Sequence, residues 1–246
     1  MGLPFDPETM SSAVERCLAW CTGPRASHTV VTANAGVLCM MRRDPELREA
    51  CRAGDLILAD GMSVVWALRL ATTPVPERIT GVDLMSQLLA AGAGRGLRAF
   101  FLGAREDVVR ALVDSCREKH PGLVVAGHRN GYFSAADHVG IVEEIRESRS
   151  HMLFVGMPSP FKEVFLQRHR ERLEVPILMG VGGSFDVLAG YVSRAPRWLR
   201  AAGMEWSWRL LMEPRKMWKR YLTTNTEFLW AAGREVLARR TGAPSA

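Results

Sequence analysis

The chain has 246 residues, 48% of them hydrophobic and 24% charged, the balance of a folded protein long enough to bury one full core rather than a disordered chain. No apolar run reaches the roughly 18 residues that span a bilayer, and the start, Met1 to Glu8, lacks the blocks of a signal peptide, so a cytoplasmic protein is expected. The net charge of +6 is matched by one window, Arg194 to Tyr221, which holds eight basic residues and two acidic ones.

Strand and helix signals alternate along the chain. Thr29 to Asn34 reads as a strand ending in polar groups, Thr32 and Asn34. Asp55 to Ala59 is a second short apolar strand, and Met62 to Leu70 carries apolar residues at helical spacing. Asp60 thus stands where a buried strand gives way to a helix, the edge that faces the ligand crevice in an open α/β sheet. Pro76 to Asp83 adds Arg78 and Asp83. Leu97 to Gly103 is a strand, and Glu106 to Lys119 a helix stopped by Pro121-Gly122. Leu123 to Gly127 is the next strand, Asn130-Gly131 a turn, and Ser134 caps a helix to about residue 148. Met152 to Met157 is a strand, Phe161 to Leu173 a helix, and Pro176 to Gly183 the last strand. Helices between strands imply parallel pairing, so the expected class is α/β: a Rossmann-like, mostly parallel sheet with flanking helices.

From Ala195 the strand signals stop. Pro196 to Met212 and Arg215 to Arg239 read as two helices broken at Pro214, with five of the chain's seven tryptophans on this stretch. The expected division is a Rossmann-like unit over 1–194 and a basic, Trp-rich helical appendage over 195–246. Aromatics beside Arg and Lys on a helix suit a membrane surface.

The candidate chemistry centres on Asp60. It reads either as a cap or as a general base, and Thr32, Asn34 and Arg78 nearby favour the second. Glycines follow three strands, at Gly103, Gly156 and Gly182-Gly183, where bare backbone can approach a phosphate or simply turn tightly. None forms a dinucleotide fingerprint, because Phe185 stands where the last glycine belongs. Asp186 suits a ribose hydroxyl or a helix cap. Glu163 in a first helical turn complements the dipole, whereas Lys162 does not, which points it to phosphate. The five cysteines, without a Cys-x-x-Cys pair, suit a reducing compartment. Cys17, Cys21 and His28 are too few to hold a metal, the histidines show no ligand spacing, and Asp55 with Asp60 is no Asp-x-Asp, so neither a metal nor a cofactor is expected.

An ordered set of motifs carries a resemblance. Thr32-Ala-Asn34, Ala59-Asp60-Gly61-Met-Ser-Val-Val-Trp, Pro76-Glu-Arg78-Ile-Thr-Gly81-Val-Asp83, Val181-Gly-Gly-Ser-Phe-Asp186 and Arg194-Ala-Pro-Arg-Trp198 with Glu205-Trp206 resemble the WecG/TagA/CpsF glycosyltransferases, family 26, over residues 28–222. The resemblance implies an inverting transfer of sugar from a UDP-sugar to a polyprenyl-diphosphate-linked saccharide at the inner membrane face, without an Asp-x-Asp metal motif. It implies Asp60 as base, Thr32 and Asn34 in the same pocket, and an appendage that brings arginines over it, here Arg209, Arg215 or Arg220. It also implies members that self-associate. One departure stands out: many members have Gly-x-Pro-Lys-Gln-Glu where this chain has Gly156-Met-Pro-Ser-Pro-Phe-Lys-Glu163. A branch making exopolysaccharide repeat units resembles the version seen here. Two other classes stay open, a nucleotide-dependent oxidoreductase and a basic binder of nucleic acid or membrane. The tryptophans at helical spacing among apolar residues argue against a nucleic-acid partner.

Overall fold

A computed structural model describes residues 2–71, 75–196, 198–199, 203–212, 227–228 and 233. Six parallel strands form one sheet in the order β2-β1-β6-β5-β3-β4. They are β1 (His28–Ala33), β2 (Leu56–Ala59), β3 (Arg98–Gly103), β4 (Val124–Arg129), β5 (Met152–Gly156) and β6 (Ile177–Gly180). Because all run the same way, every strand delivers its carboxyl end to one edge.

Alternation along the strands splits the core into two faces. On one, Val30, Leu58, Phe101, Phe154 and Met179 meet α1 (Met10–Trp20), α5 (Gly81–Ala93), α6 (Glu106–Lys119) and α9 (Ser184–Leu188). On the other, Val31, Ala33 and Ile57 pack with α2 (Ala35–Arg43), α3 (Pro45–Arg52) and α4 (Met62–Leu70). Phe100, Leu153 and Leu178 pack there with α7 (His138–Glu147) and α8 (Phe161–Leu173). The result is a three-layer α/β/α sandwich, as the alternating elements imply.

Local chemistry explains the boundaries. Asn34 caps α2 by accepting from the Val37 amide at 3.1 Å, and Asp44 does the same for α3 at Leu47, 3.0 Å. Thr80 caps α5, and Ser134 with Asp137 forms a reciprocal capping box ahead of α7. The helices α1, α2, α3, α5 and α9 are additions to the elements expected from the sequence.

The last described helix, α10 (Glu205–Met212), is shorter than the helix expected from Pro196. Gly203 has φ +72, a left-handed conformation that ends the preceding turn, and the Met204 amide closes back onto the Leu199 carbonyl at 3.0 Å. A Cβ on Gly203 would overlap Met62 Cγ, so this backbone lies directly on the start of α4. Phe228 is buried among the α2 and α4 side chains, and Glu227 pairs with Arg43 at 2.7 Å. The expected helix over 215–239, with Arg215 and Arg220, otherwise falls outside the described residues.

Candidate active site at the carboxyl edge of the sheet

Strands β1 and β2 are neighbours, with Ala33 opposite Ala59, and the Asp60 amide donates to the Ala33 carbonyl at 3.0 Å. That bond extends the ladder by one residue and places Asp60 beside the end of β1, where Thr32 and Asn34 stand. All three side chains are half-buried. The N-cap of α4 is Gly61, at φ +128, one residue after Asp60. The first amides of α4 add partial positive charge at the same edge.

Thr32 lies close to the start of α5: a Cβ on Gly81 would stand 3.2 Å from its Oγ1. Asn34 spends its carbonyl oxygen on the α2 cap, which leaves its amide nitrogen as the donor it can present. Asp55, at the amino end of β2, belongs to the opposite edge. It accepts from the Thr29 amide at 2.8 Å and from Arg170 at 2.9 Å, a purely structural clasp.

Further along the carboxyl edge come the glycines. Connections leave β3 toward β4 but leave β5 toward β6, so the crevice between β3 and β5 is a topological switch point. Gly103 and Gly156 face each other there. Gly103 has φ +133, and a Cβ on it would lie 2.6 Å from the Gly156 carbonyl carbon and oxygen, so only glycine fits. A Cβ on Gly156 would in turn strike the Phe185 ring at 2.5 Å. Phe185, fully buried and edge-on to Phe101 at 6.0 Å between centroids, is core packing where a dinucleotide fingerprint would need glycine. Gly182 has φ +53, and Gly183 is open and exposed, so the turn after β6 presents bare backbone at the same edge of the sheet. Asp186 sits half-buried in the first turn of α9, and its carbonyl accepts from the Val192 amide at 3.0 Å.

Lys162 departs from the expectation of a phosphate ligand. It is buried under β6, its stem filling the space that a Cβ on Gly180 would take, 3.0 Å away. Its ammonium is committed to Glu163 and to Ser159 Oγ at 2.5 Å, and Ser159 donates to Glu163 Oε1 at 2.7 Å. Glu163 is therefore the partner of Lys162 rather than only a complement to the α8 dipole. The sequence could not show this, because adjacent helical residues ordinarily diverge in direction.

Arg78 and Asp83 are drawn into a network that sequence reasoning missed. Arg78 Nη1 donates to Glu205 Oε2 at 3.3 Å, and Arg194 Nη2 donates to Asp83 Oδ2 at 2.7 Å. Burial opposes the Arg194 charge, yet Asp83 and Glu205 outweigh it and hold its pKa above the usual value. The only hint in the sequence is that Arg194 and Glu205 belong to the same ordered motif set as Arg78 and Asp83. Arg209 lies on α10, and Arg215 and Arg220 lie outside the described residues.

No disulfide joins the cysteines; Cys17, Cys39, Cys51 and Cys116 are buried, and His28 engages Trp20 by stacking at 4.5 Å and Asp55 at 3.8 Å. Desolvation pushes the Cys17 and Cys51 thiols up to about 12 and the Cys116 thiol up to about 11.

A polar cluster at adjoining parallel strand ends, beside glycine-lined backbone, suits transfer chemistry on a phosphorylated ligand. The model of the glycosyl transferase WecG/TagA/CpsF family matches residues 1–242. The chain belongs to this family. Among its relatives is the N-acetylglucosaminyldiphosphoundecaprenol N-acetyl-β-D-mannosaminyltransferase of Bacillus subtilis, 28% identical, covering 90% of this chain and 86% of the relative. The enzyme of that name from Bacillus spizizenii is 33% identical over 79% of this chain and 74% of its own length. That of Staphylococcus aureus strain MW2 is 32% identical over 89% and 85%. This glycosyltransferase thus carries Asp60, Thr32 and Asn34 together at the carboxyl edge of its parallel sheet.

Proposed function

We propose that this glycosyltransferase moves a sugar from a UDP-sugar to a polyprenyl-diphosphate-linked saccharide, with inversion, in the assembly of a cell-surface or exported polysaccharide. The reading is supported most by Asp60, a carboxylate that follows the end of β2 and precedes the N-cap of α4, beside the end of β1. In it, Asp60 takes the proton of the acceptor hydroxyl as that oxygen attacks the anomeric carbon. The bond from that carbon to the diphosphate oxygen breaks, and UDP leaves with the electron pair. Thr32 and Asn34 orient the attacking hydroxyl. Bare backbone at Gly103, Gly156 and Gly182-Gly183 approaches the diphosphate, and Asp186 suits the ribose. Arg78, together with Arg209, Arg215 or Arg220 of the appendage, offsets the charge that develops on the leaving group.

The relatives' names point to N-acetylmannosamine as the sugar and to N-acetylglucosamine on diphosphoundecaprenol as the acceptor. The Ser-Pro-Phe-Lys-Glu163 stretch leaves the donor sugar to be measured, since the glutamine of many members is absent, with Phe161 and the buried Lys162 in its neighbourhood. The appendage, 195–246, serves as the membrane-associating part that closes the site, and the enzyme works as a peripheral protein on the inner membrane face. Among the described residues no helix is long and apolar enough to cross a membrane, while Trp198, Leu211 and Met212 are exposed, as a surface-resting segment requires.

A donor screen tests this. The protein is incubated with a synthetic polyprenyl-diphosphate N-acetylglucosamine and a panel of UDP-sugars, and UDP release is followed with and without EDTA. Release with one donor, insensitive to EDTA, is expected. Asp60→Asn should lower turnover by roughly a hundredfold or more; near-normal turnover would remove Asp60 from the role of base.

A further inference from the structure

Glu205 opens α10 yet reaches across 127 residues of sequence to Arg78. Its two oxygens serve different cations: Oε2 accepts from Arg78 Nη1 at 3.3 Å, and Oε1 stands 3.6 Å from Arg194 Nε, an ion-pair distance longer than a hydrogen bond. Arg194 Nη2 donates to Asp83 Oδ2 at 2.7 Å, and Thr80 Oγ1 donates to the same oxygen at 2.6 Å. Charge therefore alternates in a file, Arg78, Glu205, Arg194, Asp83, rooted in the first turn of α5. The side chains are only 15–31% exposed, so water screens the file poorly, and loss of one member leaves its neighbours uncompensated.

Two observations give the file a role beyond holding α10 in place. Its root adjoins the site, since Gly81 at the start of α5 nearly touches Thr32 Oγ1. Glu205 also engages a single nitrogen of Arg78 and, among the described residues, is that arginine's ion-pair partner. A guanidinium carries five N–H donors in a rigid fork, so one such contact sets its direction and leaves donors for an anion.

We infer that Glu205 is a positioning residue: it aims Arg78 at a phosphate of the donor and, through Arg194 and Asp83, couples that aim to the docking of α10. This rests on the nucleotide-sugar reading above. The contrary role, a resident carboxylate competing with phosphate for Arg78, makes the opposite prediction.

The test uses the full chain as wild type, Glu205→Ala, Glu205→Gln, Glu205→Asp, Arg78→Gln and the Arg78→Gln/Glu205→Ala double variant. UDP is titrated calorimetrically, and kcat and KM are measured for the UDP-sugar donor. Glu205→Ala and Glu205→Gln should weaken UDP binding and raise donor KM about tenfold, with kcat changing less, and Glu205→Asp should restore part of the loss. In the Arg78→Gln background, Glu205→Ala should add less than about twofold, since the two act as one unit. Tighter UDP binding by Glu205→Gln would overturn the inference in favour of competition. Fully additive losses would overturn it in favour of packing alone. Unchanged binding by Glu205→Ala, with wild type binding UDP, would overturn this role alone; no UDP binding by wild type would overturn the donor reading and this role with it.

Discussion

Breaking the Lys162–Glu163 pair should be costly, and removing both charges together should not. The two side chains are 9% and 7% exposed, and Glu163 Oε1 is shared between the Lys162 ammonium and the Ser159 hydroxyl. Among the described residues Glu163 Oε2 has no hydrogen-bond partner, and neither has Thr29 Oγ1; both residues line a cavity of about 10 Å3, room for one water. Lys162→Met would leave a buried carboxylate without its cation, and Glu163→Gln would leave a buried ammonium without its anion. Each should cost about 3–5 kcal/mol, because solvation lost on burial is no longer offset by the partner. In a chain of this length that is on the order of 10 °C in Tm. The double variant Lys162→Met/Glu163→Gln carries no buried charge and should fall within about 1 kcal/mol of wild type. Urea unfolding followed by far-UV circular dichroism at pH 7 measures all three. Single losses below about 1 kcal/mol that simply add in the double variant would refute the reasoning, since they would mean the pair is neither desolvated nor coupled. A UDP titration of the double variant completes the test: affinity close to that of wild type is expected of a lysine whose ammonium faces Glu163 rather than the donor.

Gly103→Ala should destabilise by about 3 kcal/mol or more, since the new Cβ would press on Gly156 backbone at 2.6 Å from a left-handed φ. Gly183→Ala, where a Cβ meets nothing within 4 Å, should stay within about 1 kcal/mol by the same thermal melts; equal losses at both positions would contradict the close approach at the switch point. Alkaline stability should report the buried thiols. Cys17, Cys51 and Cys116 ionise near 9 when unfolded but only near 11 or 12 when folded. The unfolded chain therefore loses these protons first, and stability is complete below pH 9 and declines toward pH 11–12. Each thiol contributes about 1.4 kcal/mol per pH unit within that window. Urea midpoints at pH 8 and pH 10 measure the decline, and Cys17→Ala should make it shallower.

The local elements were legible because they depend on neighbours in sequence. The short apolar strand runs, the helical spacing in Glu106–Lys119, the helix read over Phe161–Leu173 and the Ser134 cap all match the observed elements closely. The position of Asp60 was legible for the same reason: it needs only a strand before it and a helix after it. The break at Gly203 was not, because a glycine within an apolar, helical-looking run gives no sign of its φ until Met62 packs against it.

The sequence by itself thus determined an α/β chain, the family, and the strand ends that carry Asp60, Thr32 and Asn34. Tertiary structure alone decided which strands adjoin, setting β6 against β1 although 143 residues separate their ends at Ala33 and Ile177. It also decided that Lys162 turns inward to Glu163, and that Arg78 and Asp83 meet Glu205 and Arg194. The physical reason is common to all three: such pairings follow from how the layers close and which charges lose their water, and no spacing along the chain encodes that.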